Sequence, residues 1–456
     1  MMKSKLYFLL VCLFGAFSSL LAYNIESELT VDVSVSYQKV SHQNPWLVGE
    51  PFSRKSKAIH LGDGKFFTMS LSAQEPLYAE MDSTDYSVPK MQIVAYDQET
   101  GFLLLQAKGS QPYPITAKVQ PRETRKVCKT GKTKYIQLPF SKTPIKAFQL
   151  EKKESEDIGF SFHNKAVCGI VFQEHLIPAE YIYEFLNAKG FQRPFPHPGW
   201  TFDVLLTNSE KKYYSKEISR GVLVTDTFPG IGPAYNLFVG DIIIAINGKS
   251  IQDMNDWDRY DRIMDLILRD GKGDLKPIGA VTKLKVFRNH QTREISYRLS
   301  GYKTDHFLIP DQAPGRNPLY LIVGGFFFTE LTTSYLKEFG NEYRLKSEKK
   351  LVYLADFYQK KNHPVRERIV ILSRVFPLEG NVGYQEFQDL ILETVNGVRI
   401  TSLDTLRKVL ENEQRGYFAF EFSGGKIAIF TLRDIVDLKT ELQTVYKIDR
   451  LQNLSE

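Results

Sequence analysis

Arg220-Gly-Val-Leu-Val-Thr-Asp-Thr-Phe-Pro-Gly-Ile-Gly-Pro-Ala-Tyr-Asn-Leu-Phe-Val-Gly-Asp-Ile-Ile-Ile-Ala-Ile-Asn-Gly-Lys249 reads as strand, turn, short helix, strand and tight turn. Gly221 to Thr225 is a β-branched run of strand type. Pro229 to Pro233 is dense in turn formers, and Ala234 to Leu237 can close one helical turn. Gly240-Asp241 then launches a buried strand, Ile242 to Ile246, which Asn247-Gly248 ends as a hairpin-type turn. A weaker copy of the phrase follows at Leu390-Ile-Leu-Glu-Thr-Val-Asn-Gly-Val-Arg-Ile400. The second half of the chain thus repeats one small module, and the first half is something else.

Working outward, 456 residues suffice for more than one domain. The hydrophobic fraction of 43% and charged fraction of 25% are ordinary for globular protein, so sizeable cores can form. A net charge of +6, spread along the chain, argues against a dedicated nucleic-acid surface. Residues 1–22 read as a signal peptide: Lys3 and Lys5 precede the apolar run Leu6 to Phe17, and small residues lead to Ala22. A lipoprotein signal at Leu9 to Cys12 fits less well, because Val11 is large and the apolar run continues. No later stretch is long and apolar enough for a stable membrane span. The expectation is a periplasmic or secreted protein. Its mature part keeps Cys128 and Cys168, which allow one optional bridge and leave the pairing open.

From Tyr23 onward, short strands are broken by turn signals: Leu29 to Tyr37, Ala58 to Leu61, Lys65 to Leu71, Met91 to Tyr96 and Phe102 to Ala107. Lys134 to Leu138, Ile145 to Leu150 and Val167 to Phe172 continue the series, which points to an all-β barrel or sandwich. Leu176 to Asn187 reads as a helix. Arg193 to Pro198 is a stiff proline-rich hinge. Asp256 to Leu268 carries Trp257, Tyr260, Met264 and Ile267 on one helical stripe, and a hairpin follows that turns at Asn289-His290. Ser347 to Lys361 and Leu403 to Asn412 read as helices, and Gly424-Gly425 as a hairpin turn. The expected divisions are 1–22 signal, 23–190 β-rich domain, 196–303 first module, 304–318 linker, 319–432 second module and 433–456 tail.

The quoted stretch, with its Gly-Asp-Ile-Ile and Ile-Asn-Gly, resembles a PDZ domain. A β-rich domain followed by two such units resembles the HtrA/Deg family of trypsin-like serine proteases, and its plant-type Deg branch above all. Gly324-Gly-Phe-Phe-Phe-Thr329, Tyr335-Leu-Lys-Glu-Phe-Gly340, Glu367 to Val375 and Asn381-Val-Gly-Tyr384 are similar to that branch's second PDZ domain. Pro45-Trp46 with Gly62 to Thr68 is similar to the opening of its first protease barrel. The resemblance implies a mainly β fold with α+β modules: a degenerate trypsin-like double β-barrel followed by two PDZ-like domains.

A serine protease of this kind needs a histidine to take the serine's proton, an aspartate to orient it, and the serine to attack. The resemblance places Leu71 in the histidine slot and Gly101 in the aspartate slot. Glu156 or Asp157 falls in the serine slot, in a region without Ser-Gly-Gly. No catalytic residue, metal site or cofactor is therefore expected. Ser161 and His163 could share a strand face, yet no carboxylate is evident to orient that histidine.

What the resemblance leaves is recognition. A PDZ groove binds a peptide as an added strand, with backbone N–H groups of a glycine-containing loop on its carboxylate. Here Gly199, Trp200, Thr201, Phe202 and Val204 supply loop and strand, and Trp257, Tyr260 and Met264 the helical wall. Alternatively these aromatics are core and Trp200 fills the pocket. The expected partners are peptides or unfolded proteins in the first groove. The second PDZ-like domain is expected to assemble a homo-oligomer, with Phe326 to Phe328 packed internally or against another subunit. Two other functions are compatible with the sequence: an active serine endopeptidase with a displaced triad, and a surface adhesin reusing the fold.

Overall fold

The computed structural model describes residues 28–454, apart from 73, 83–89, 109–112, 114, 121–127, 129–130, 152–154, 189–193, 205–208, 211–212, 214–217, 219, 257, 312–316, 361–364 and 413–415. The signal peptide expected at 1–22 lies outside the described residues. The chain divides into two compact units. The first is built from the described residues up to Gln38, from Pro51–Asp226 and from Ile231–Tyr302; the second from Lys39–Glu50, Thr227–Gly230 and Lys303–Glu456.

The first unit opens with six strands, β1 (Thr30–Gln38), β2 (Pro51–Gly62), β3 (Lys65–Met69), β4 (Pro76–Met81), β5 (Gln92–Asp97) and β6 (Phe102–Gln106). They form one antiparallel sheet in the order β4-β1-β2-β3-β6-β5, and an Ala79–Met91 bridge joins its ends. Strand alternation sends neighbouring side chains to opposite faces. Phe66 fills the inside with Val33, Val35, Leu103 and Leu105, while Phe67 joins Phe102 on the outside. The second sheet has five strands, β7 (Thr133–Ile136), β8 (Ile145–Gln149), β9 (Ser155–His163), β10 (Ala166–Gln173) and β11 (His175–Pro178), in the order β7-β8-β11-β10-β9. Helix α1 (Ala179–Asn187) packs Tyr181, Ile182 and Phe185 into the core that both sheets share. The helix begins later than its sequence suggests, because Leu176 and Ile177 pair as strand with β8 and β10 before Pro178 caps the turn. Cys128 and Cys168 are joined as a disulfide, with Cα atoms 5.6 Å apart, tying the segment before β7 to β10.

The same unit carries the first PDZ-like sheet: β12 (Trp200–Val204), β13 (Val222–Thr227), β14 (Ile242–Ile246), β15 (Lys249–Ser250), β16 (Val281–Arg288) and β17 (Gln291–Arg298), with α2 (Tyr260–Leu268). The order is β12-β13-β14-β16-β17, with β15 beside β14. Asn247 and Gly248 turn at φ 49° and 79°, and Asn289 and His290 at 50° and 60°, the left-handed pair a tight hairpin needs. Asp241, only 2% exposed, accepts Arg288 on both carboxylate oxygens at 2.6 Å. The Gly-Asp signature thus serves the fold.

The second unit has β18 (Tyr320–Val323), β19 (Phe326–Glu330), β20 (Val370–Val375), β21 (Leu390–Val395), β22 (Val398–Arg399), β23 (Tyr417–Phe422), β24 (Ile427–Thr431) and β25 (Gln452–Asn453). Its helices are α3 (Thr333–Lys337), α4 (Tyr343–Lys346), α5 (Lys349–Tyr358), α6 (Leu403–Glu411) and α7 (Leu432–Val445). The order is β24-β23-β21-β20-β19-β18-β25, with β22 beside β21. Two stretches differ from their sequence reading. Within the stretch read as a tail, 433–456, the described residues are docked: α7 buries Leu438 and Leu442, and β25 pairs with β18. The linker contains Phe307, Leu308 and Ile309, all at most 3% exposed. Trp46, expected at the approach to the first barrel, packs edge-on against Tyr320, Phe327 and Phe376 of this second unit. Phe326, Phe327 and Phe328 are fully buried in its core.

Asn381 holds this unit's turns together. Its Oδ1 accepts the Leu378 N–H at 3.0 Å, and its Nδ2 donates to Gly324 O at 3.1 Å and Phe376 O at 2.8 Å. Gly325, at φ +79°, is glycine because a Cβ there would stand 2.4 Å from that Nδ2. Asn381→Ala strands three buried backbone groups and should cost about 2–3 kcal/mol. A lowered urea midpoint checks this, and an unchanged one excludes it.

Candidate functional site

Two places carry the chemistry the sequence raises, the triad slots and the strand beside α2. β3 ends at Met69, and Ser70-Leu71-Ser72 follow. The Ser70 N–H donates to Gly101 O at 2.9 Å, which draws the two slots together. A Cβ on Gly101, at φ +73°, would lie 2.7 Å from Ser70 O and 3.3 Å from the Leu71 side chain. Leucine and glycine therefore meet where the resemblance asks for histidine and aspartate. Glu156 and Asp157 run along β9, with their side chains outside the described residues.

No serine–histidine pair forms in the neighbourhood among the described residues. Ser70 and Ser72 are 3% and 4% exposed, and Ser70 Oγ accepts the Tyr37 hydroxyl, whose ionisation burial pushes up to about 12. His163 lies at the exposed end of β9 against Asn164 Nδ2. Sequence reasoning missed Asp97. This 1%-exposed carboxyl accepts the Thr100 N–H at 3.0 Å and hydroxyl at 2.5 Å, so it builds the turn into Gly101. Its other oxygen is buried without a hydrogen-bond partner among the described residues, and burial pushes its pKa up to about 7. The Asp-x-x-Thr spacing was the available signal. No group of three or more His, Cys, Asp or Glu could hold a metal among the described residues.

β12 is the outermost strand of its sheet, and among the described residues nothing pairs with its other edge. The Phe202 ring stacks on Tyr260 at 5.1 Å, which sets α2 alongside. Thr201 is exposed and bonds Thr225 at 2.9 Å, and Val204 is half-buried. Trp200 and Met264, expected to line the groove, are each 1% exposed in the core, where Trp200 Nε1 donates to the Tyr297 hydroxyl at 3.2 Å. Trp257 lies outside the described residues, and the helix starts at Tyr260 rather than Asp256. Gly199, at φ +81°, is glycine because the backbone at Ile231 and Gly232 leaves under 3 Å for a Cβ. In the second unit the corresponding edge, that of β19, is taken by β18 from Phe326 to Thr329.

α2 is anchored on its far side. Arg269 grips Glu180 of α1 with both terminal guanidinium nitrogens, Nη2 at 2.5 and Nη1 at 3.2 Å, both side chains under a tenth exposed. Asp265 takes Lys146 at 2.7 Å and the Tyr135 hydroxyl at 3.0 Å, and Asp261 accepts the Tyr135 N–H. The groove helix is thereby held on β7, β8 and α1.

Among known proteins, residues 309–453 match a family model described as PDZ domain. The chain is 21% identical over 445 residues to Protease Do-like 2, chloroplastic, of Arabidopsis thaliana, across 88% of this chain and 70% of that protein. It is 25% identical over 328 residues to the mitochondrial Do-like 3 protein of the same plant, across 69% of this chain and 54% of the relative. Among solved structures it is similar to the HtrA-type protease AlgW with decapeptide, at 13% identity and a TM-score of 0.40, across 62% of this chain and 98% of that one. Residues 309–453 thus match a PDZ domain, and in sequence the chain is similar to Do-like proteases of the HtrA/Deg kind.

Proposed function

We propose that this protein binds extended or unfolded polypeptide without cutting it, as an exported HtrA/Deg-like protein whose serine-protease triad is lost. The observation that carries the reading is the contact of Gly101 with Ser70 and Leu71: the slots are adjacent, yet neither holds a group that can move a proton. A fold can outlive its chemistry, because activity sits in the site and not in the architecture. Binding is supported by the β12 edge, with which nothing pairs among the described residues: such an edge is a liability unless a strand uses or covers it. Export is supported by the Cys128–Cys168 bridge, which oxidising compartments sustain. Among the described residues no helix is long and apolar enough to cross a membrane.

An anisotropy titration of fluorescein-labelled unfolded casein tests this. The expected result is binding on the order of micromolar, about −8 kcal/mol, with casein intact on a gel of the same mixture. Cleavage matching that of a catalytically intact relative, or no binding at all, would overturn the proposal.

A further inference from the structure

The groove beside β12 shows what it can read. A groove built for a chain terminus needs free backbone N–H groups for the carboxylate and a hollow for the last side chain. At Gly199 the structure offers neither. The Gly199 N–H already donates to His197 Nδ1 at 2.9 Å, and that imidazole is 5% exposed. The hollow is filled from within, because Trp200, Ile263, Met264 and Ile267 are all at most 1% exposed. What stays open among the described residues is the row of backbone groups on the outer edge of β12, with Tyr260, half exposed, beside it.

The charge around this edge is mostly negative. Asp203 projects from β12, and Asp253, Asp256 and Asp258 precede α2, against Arg259 and Arg262. Arg262 is already engaged with Asp256 at 3.4 Å. Asp203 and Asp258 are exposed and have no partner among the described residues. A strand laid along β12 would place alternate side chains across from Asp203, where opposite charges attract.

We infer that the groove takes an internal, extended polypeptide segment bearing basic side chains, held through its backbone, and does not read a free C-terminus. This rests on the peptide-binding reading above and names the ligand class for it. The test uses the full chain and dye-labelled decapeptides of alternating Lys and Val, one with a free C-terminal carboxylate and one amidated. A third peptide carries Glu in place of every Lys. Acid and amide should bind within about twofold of each other and the Glu peptide at least tenfold more weakly, a charge effect that salt should erode. Asp203→Lys, at an exposed position, should weaken the Lys peptides about fivefold or more. Free acid favoured at least tenfold over amide, Glu matching Lys, or indifference to Asp203→Lys would each overturn the inference while peptide binding itself survives. Binding of none of the three, in protein that also fails to bind casein, would remove the peptide-binding reading instead.

Discussion

Arg269→Ala should destabilise the first unit by about 3–5 kcal/mol, because it leaves Glu180 buried without the guanidinium that neutralises it. The pair joins α2 to α1 with two hydrogen bonds, and Arg269 Nη1 also donates to Gly273 O at 2.8 Å. Taking two charges out of water is itself costly, so the pair's net worth is small while the penalty for breaking it is large. Glu180→Leu with Arg269→Met should therefore recover much of what either single change loses. Urea midpoints of the two single variants and the double variant decide this. A double variant as unstable as the sum of the singles would show that packing alone matters here.

The second large effect is set by pH. Asp97 is buried, and burial, opposed by the Thr100 hydrogen bonds, raises its pKa from the usual carboxylate range to about 7. In the unfolded chain the same carboxyl titrates at ~3.9. Between those values the folded state binds the proton more tightly, so stability falls as pH rises and levels off above about 7. The gap between the folded and unfolded values corresponds to about 4 kcal/mol. Asp97→Asn cannot ionise and can still accept both Thr100 donors. Its stability relative to the parent should thus rise by about 3–4 kcal/mol between pH 4 and pH 8. Melting at the two pH values measures it, and a difference that does not change with pH would mean that Asp97 stays ionised when folded.

The turns are the most legible part of the sequence. Asn247-Gly248, Asn289-His290 and Gly424-Gly425 announce hairpins because only particular residues tolerate left-handed backbone, and each sits there in the fold. β9 escapes a sequence reading because Ser155-Glu156-Asp157 and Gly159 break the apolar alternation that marks a strand. α7 passes for a tail because only Leu438 and Leu442 of its turns enter the core, so local pattern gives little sign of docking. The apolar triplet Phe307-Leu308-Ile309 could have argued against a linker. The site is half legible. Family spacing points to Leu71 and Gly101, but whether Trp200 lines a groove or fills it depends on Tyr297 and on helix packing, which no local pattern encodes.

The central claim, a protease fold without a working nucleophile, is tested most directly by intact-mass spectrometry of the purified protein after exposure to diisopropyl fluorophosphate. This reagent modifies a serine only where a neighbouring base activates it. The account predicts an unchanged mass under conditions in which a catalytically intact relative is fully labelled. A stoichiometric adduct on any serine of this chain would contradict it.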